Sequence, residues 1–180
     1  MKKLLESLLE QKNIFKPPTE EELVKRFIKR YNSKLNSDGT YDFDCNLYDV
    51  EGVVKDGKFT IKFGKVEGDF NCSDSGLISL KGAPKYVGGF FDCSDNQLTS
   101  LEGAPKHVGE SFSCDNNNLT SLKGAPKYVG KGFYCSDNQL TSLEGAPKYV
   151  GGSFDCRGNQ EKFTKEDVRK VSEVKGRIEV

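Results

Sequence analysis

Five cysteines, Cys72, Cys93, Cys114, Cys135 and Cys156, stand 21 residues apart. The segments around them align without gaps: VGGFFDCSDNQLTSLEGAP from Val87, VGESFSCDNNNLTSLKGAP from Val108 and VGKGFYCSDNQLTSLEGAP from Val129. A first copy begins at Val66 and a last one breaks off at Gln160. Self-similarity at a fixed period of about 20 to 29 residues marks a solenoid. A unit this short cannot bury its own apolar face, so successive units must stack.

Within each unit Phe-x-Cys alternates as a strand does, with Phe112 and Cys114 on one face and Ser113 on the other. Stacking in register predicts one parallel sheet, with one short strand per unit. Phe70, Phe91, Phe112, Phe133 and Phe154 then form a core ladder and the five cysteines a second one. Leu98, Leu101, Ala104 and Val108, with their counterparts, fill the remaining cross-section. Asn96, Asn117, Asn138 and Asn159 lie three residues after each Cys, where the chain leaves the sheet. A buried turn needs its backbone groups satisfied, and a stacked amide side chain can do that. The Gly-Ala-Pro step predicts an extended return path, because Pro blocks helix and fixes φ.

The run F-x-C-x-x-N-x-L-x-x-L resembles the leucine-rich repeat signature, with Phe and Cys at the two strand positions. The NQLTSLEGAP portion resembles the short bacterial type, known from secreted effectors and bacteriophage-encoded cassettes. The resemblance covers roughly residues 66 to 160 and departs from the usual pattern in its 21-residue unit. It implies an arc with a strand-lined concave face that binds a partner, and it implies no activity. The expected fold is therefore a leucine-rich-repeat solenoid, a parallel β-sheet arc with mostly irregular return segments, N-terminal helices and a C-terminal capping helix.

A stack exposes raw core at both ends, so its terminal units must differ. Tyr41-Asp-Phe-Asp-Cys45 reads as a divergent first Phe-x-Cys strand, followed by a hairpin whose Asp56-Gly57 suits a tight primed turn. At the other end Thr164 and Asp167 read as a capping box. The helix they open would run to about Val174, with Val168 and Val171 on the open end, and residues 177–180 would add an edge strand. Before the stack, Pro17-Pro18 separates two helical patterns. Leu4, Leu5, Leu8 and Leu9 mark the first; Leu23, Val24, Phe27, Ile28 and Tyr31 mark the second, which Thr19 and Glu22 cap. The chain thus divides into a helical segment at 1–36, a cap with hairpin at 37–67, repeats at 68–160 and a C-terminal cap at 161–180.

Lys plus Arg and Asp plus Glu number 27 each, which argues against a general nucleic-acid binder. No apolar run approaches a membrane span, and the opening residues lack a small-residue cleavage site, so the expectation is a cytoplasmic protein without a membrane partner. A single His, His107, makes His-based catalysis and multi-His metal sites improbable. The cysteines spread along an axis rather than converge on a point, so the expectation is no metal, no disulfide, no cofactor and no enzyme activity.

The residues that flank Phe and Cys form the candidate partner-binding face: Phe90, Asp92 and Asp95, then Glu110, Ser113 and Asp115. Lys131, Tyr134, Asp137, Asp155 and Arg157 continue it. Its acidic bias either attracts a partner with a basic or mixed surface or reflects the fit of Asp and Asn to strand edges near turns. Phe90 and Tyr134 replace small or polar residues of other units, which is the chemistry of interface anchors. Lys25, Arg26, Lys29 and Arg30 on the second helix form a secondary surface; residues 1–36 carry a net charge of +4 (nine basic, five acidic). Lys85, Lys106, Lys127 and Lys148 run beside Tyr86, His107, Tyr128 and Tyr149; such a line either binds nucleic acid or solvates a loop.

These features lead to a non-catalytic protein-interaction module. The resemblance extends this to a phage or mobile-element protein that inhibits a host defence protein in the host cytoplasm. The alternative is a nucleic-acid-associated protein that uses the basic helix and the Lys line.

Overall fold

The computed structural model describes residues 17–180, so the first leucine pattern lies outside the described residues. Helix α1 (Glu20–Arg30) opens the fold, followed by β1 (Lys34–Leu35) and β2 (Tyr41–Phe43). The hairpin β3 (Val54–Lys55) and β4 (Lys58–Phe59) leads into β5 (Phe63–Val66) and β6 (Phe70–Asn71). The repeats contribute strand pairs: β7 (Tyr86–Val87) with β8 (Phe91–Asp92), and β9 (His107–Val108) with β10 (Phe112–Ser113). Then come β11 (Tyr128–Val129) with β12 (Phe133–Tyr134), and β13 (Tyr149–Val150) with β14 (Phe154–Asp155). Helix α2 (Lys165–Val171), β15 (Glu173–Val174) and β16 (Ile178–Glu179) close the chain.

The strands wind into a parallel β-solenoid of about seven turns. Each unit gives two strands, not the single strand expected. The valine sheet has the order β1-β2-β5-β7-β9-β11-β13-β15, and the phenylalanine sheet has the order β16-β14-β12-β10-β8-β6. Within these two sheets only β1, at the start of the valine sheet, runs antiparallel to its neighbour; the β3–β4 hairpin is a separate antiparallel pair. The second sheet lies in the segment read as irregular return. A two-residue Tyr-Val strand is too short to display an alternating pattern, but Pro holds its approach extended and each Val is fully buried.

The ladders form as expected. Phe112 pairs in register with Phe91 and Phe133, and all five repeat phenylalanines are fully buried. The five repeat cysteines are buried free thiols. The Sγ of Cys93 donates to the Ser113 carbonyl of the next coil at 3.2 Å, and that of Cys114 to the Tyr134 carbonyl at 3.4 Å. Burial pushes these thiols well above their ordinary pKa, because a thiolate would lose its water. Asn117 shows how the amide column works. Its Nδ2 donates to the carbonyls of Cys93, Cys114 and Asp115, and its Oδ1 accepts from Leu98 N. One buried side chain therefore satisfies backbone groups of two coils.

The Gly-Ala-Pro step is a turn rather than a uniformly extended path. Gly103 sits at φ +96°, and Ala104 N donates to Leu101 O at 3.0 Å. The left-handed conformation suits glycine because it has no Cβ.

Both ends are closed. Phe27 of α1 is buried, with its ring 5.8 Å from Phe43 and 6.1 Å from Phe63, and Val24 and Tyr31 pack beside it. Thr19 and Glu22 form the capping box. Thr164 and Asp167 cap α2 in the same way. Hydrogen bonds from the Thr164 hydroxyl, from Lys170 and from the Thr164 N–H, together with the Lys170 charge, hold the Asp167 carboxyl down at about 2. Helix α2 stops at Val171, short of the expected Val174, because β15 joins the valine sheet beside β13. The edge strand at residues 177–180 is β16, which pairs with β14.

The first coil differs from its sequence reading. Phe43 pairs with Val66 in the valine sheet, and Leu47, not Phe43, takes the Phe-ladder place by bridging Phe70. Cys45 therefore falls outside the thiol column and is half-buried, with its Sγ 3.9 Å from Tyr31 O. The hairpin forms as read, with Val54 opposite Phe59 and Asp56 and Gly57 both at positive φ.

Candidate partner-binding surfaces

The outer side of the phenylalanine sheet carries the residues singled out from the sequence, and much of their polarity is spent inside the protein. One position per coil, two residues after Cys, has positive φ: Asp74, Asp95, Asn116 and Asp137 at 47–56°, and Gly158 at 67°. Asp and Asn tolerate this left-handed geometry better than other side chains. This part of the acidic bias therefore has a backbone cause. Asp95 Oδ1 also accepts from Asn116 Nδ2 at 2.6 Å.

The other carboxylates bind their neighbours. Asp92 Oδ1 accepts from Ser94 N and from Ser94 Oγ at 2.5 Å. Asp115 accepts from Ser136 N and Oγ of the next coil and from Ser113 Oγ at 3.0 Å. Burial pushes the Asp115 carboxyl above its ordinary value despite those donors. Burial would also raise Asp155, but the Arg157 side chain, backbone N–H and charge together hold it below the usual range. The Arg157 guanidinium grips Asp155 through Nε at 3.0 Å and an outer nitrogen at 2.6 Å. Glu110 and Lys131 form an exposed ion pair at 2.7 Å.

The two aromatic departures have different settings. Tyr134 lies over Gly132: a Cβ at position 132 would collide with the tyrosine ring. The small residue at 132 and the large one at 134 are thus a matched pair. Phe90 instead pairs with Tyr48, ring centroids 6.4 Å apart. The sequence reading missed Tyr48, which follows Leu47 as Tyr134 follows Phe133. Correct alignment of the first coil on Leu47 would have exposed it. Asn46 Nδ2 donates to the Tyr48 hydroxyl at 2.6 Å, and that hydroxyl donates to Asp69 Oδ2 at 3.0 Å. The Asp69 acceptor pushes the phenol above its ordinary pKa. Tyr48 remains 59% exposed. It borders a hollow of about 460 Å³ lined by Val50, Val54 and the Ser73–Ser75 turn.

The secondary surface on α1 is partly neutralised. Lys25 pairs with Glu21 at 2.6 Å, and Arg30 with Asp49 at 3.6 Å while lying over the Tyr31 ring. Arg26 and Lys29 are exposed.

On the valine sheet Tyr86, His107, Tyr128 and Tyr149 stack in one column, with centroids 4.8–5.1 Å apart and ring planes within 3° of parallel. Lys65 caps the column over Tyr86 at 4.8 Å. Lys85, Lys106, Lys127 and Lys148 line a groove of about 1400 Å³ that runs along the coils over the Gly-Ala turns. Among the described residues, no helix is long and apolar enough to cross a membrane, and no three His, Cys, Asp or Glu side chains cluster as metal ligands would.

The class these observations define is a capped parallel β-solenoid built on a 21-residue repeat. No family of known proteins matches the chain, and neither a curated protein nor a solved structure shows significant similarity to it.

Proposed function

We propose that this chain is a non-catalytic protein-binding module whose contact surface is the outer face of the phenylalanine sheet. The observation that carries this reading is the Tyr48–Phe90 pair, in which an exposed tyrosine ring packs against a half-buried phenylalanine beside a hollow. Aromatic groups in such settings anchor protein interfaces. The spent carboxylates make shape, more than charge, the basis of recognition. Among the described residues the column thiols are buried and protonated and His107 is sandwiched between two tyrosines, a setting that suits structural side chains.

The F-x-C-x-x-N-x-L run supports a finer assignment to the leucine-rich repeats. Its likeness to phage cassettes supports a host protein as partner, with the chain blocking a defence function in the host cytoplasm. A second reading, nucleic-acid association, draws on the uniform Lys85–Lys106–Lys127–Lys148 row. Salt separates them, because phosphate contacts weaken steeply as salt rises and an aromatic anchor does not.

The test is affinity capture from bacterial lysate followed by binding measurements with Tyr48→Ala/Phe90→Ala and, separately, Tyr134→Ala. Loss of a buried aromatic anchor lowers affinity by about thirtyfold. The double variant should lose at least that much with an unchanged melting temperature. Wild-type affinity in a folded double variant would refute the surface. Tyr134→Ala should have the smaller effect, because that ring rests on its own sheet.

A further inference from the structure

The groove over the Gly-Ala turns has one uniform wall and one mixed one. Lys85, Lys106, Lys127 and Lys148 stand one per coil along the first wall, all exposed. Lys85 lies 3.8 Å from Asp38, and the other three make no ion pair among the described residues. On the mixed side Lys81 and Glu102 line the groove, and the equivalent Lys123 and Glu144 of the next two coils pair with each other at 3.0 Å. Lys58 and Lys62 extend the positive charge at the N-terminal end. Gly82–Ala83, Gly103–Ala104, Gly124–Ala125 and Gly145–Ala146 line the groove between the lysines, with Phe59, Ile61 and Phe63 at the N-terminal end, so along the repeat coils small residues leave the lysines open to an occupant. A row of like charges, three of the four without an ion pair among the described residues, along a trough of small residues fits an elongated anion.

Spacing and stacking decide its class. Adjacent coils on this side are 4.8–5.1 Å apart, as the ring column records. An α-helix repeats every ~5.4 Å, so acidic residues one turn apart follow the lysines within the reach of their flexible stems. The four lysines span roughly 15 Å, the length of roughly ten helical residues. A single-stranded nucleic acid needs aromatic faces on which bases stack. Here the faces of Tyr86, His107, Tyr128 and Tyr149 are turned on one another.

We infer that this groove is a second docking site, which seats an acidic helix of a partner protein lengthwise along the coils. It does not depend on the proposed role of the phenylalanine sheet, which lies on another face.

The test uses the full chain and two Ala-based helical peptides of equal charge. One carries Glu at i, i+4, i+7 and i+11, and its isomer spreads the same glutamates around the helix. An oligo-dT strand serves as the nucleic-acid probe. The aligned peptide should bind at least about tenfold tighter than its isomer, an effect that fades with salt. That preference should vanish in Lys85→Gln/Lys106→Gln/Lys127→Gln/Lys148→Gln and persist in Tyr48→Ala/Phe90→Ala, which separates failure here from failure of the other surface. Equal binding of the two peptides, no binding of either, or displacement of the aligned peptide by oligo-dT would each overturn the assignment.

Discussion

Two columns of rings run along the repeat coils, one inside and one outside. In the inner column Phe70, Phe91, Phe112 and Phe133 stack at 5.3–5.5 Å with planes 5–10° apart, and the last step to Phe154 tilts to 43°. The outer column from Tyr86 to Tyr149 is tighter and flatter, although Tyr128 is 40% exposed. Regular stacking therefore does not depend on burial. It follows from register: identical positions of a parallel sheet repeat at one strand spacing, so any flat side chain there meets its copy. His107 fits among tyrosines for that reason. What burial adds is energy and constraint. The inner rings must also fill a closed cross-section, and the column tilts at Phe154, where the last coil holds Ile178 instead of another ring.

The largest expected effect tests that energetic difference. Phe112→Ala removes a ring with neighbours above and below and leaves a cavity, at a cost of about 3–5 kcal/mol. Chemical denaturation would show it, and a loss below that of an outer-column variant would reverse the assignment of energy to the inner ladder.

Asn117→Ala comes next. It strands Leu98 N and the carbonyls that the amide serves, at about 1–3 kcal/mol. A midpoint shift no greater than that of the surface change Lys127→Ala would make the amide column incidental to stability.

Alkaline pH should weaken the inner thiol column. The unfolded thiols lose protons near 9, whereas the buried ones hold theirs, with Cys156 raised to about 11. The unfolded chain then binds fewer protons than the folded one, so stability is intact below 9 and falls as pH rises from there through the folded values. Cys114→Ala should flatten that decline in a series of denaturation curves; an unchanged slope would remove the thiols as its cause. Iodoacetamide labelling of the native protein should reach half-buried Cys45 first and the column thiols only after denaturation. Fast labelling of three or more column thiols would contradict the strand register.

The smallest effect belongs to the outer column. Tyr128→Ala interrupts the stack at a half-exposed position and should cost no more than about 1 kcal/mol. A loss equal to that of Phe112→Ala would show that stacking itself, and not burial, stabilises the solenoid.

The candidate surfaces were only partly legible in advance. Phe90 and Tyr134 stand out in the repeat because their neighbours are small, yet only the folded chain separates them. Phe90 meets Tyr48 from a coil whose sequence hardly resembles the others, whereas Tyr134 folds over Gly132. The acidic residues were visible as a set, but their use was not. Whether Asp115 faces solvent or Ser136 depends on the next coil, 21 residues away.

By itself the sequence determined the period, the buried Phe, Cys and Asn columns, the capping boxes and the hairpin. Each follows from a local rule repeated in register, and repetition turns a weak local signal into a strong one. Only the tertiary structure decided that each coil carries two strands, that the first coil aligns on Leu47 rather than Cys45, and that the lysines wall a groove. These outcomes depend on which backbone lies beside which. A two-residue strand has no pattern of its own; it becomes a strand when the neighbouring coil offers the hydrogen bonds its backbone must make.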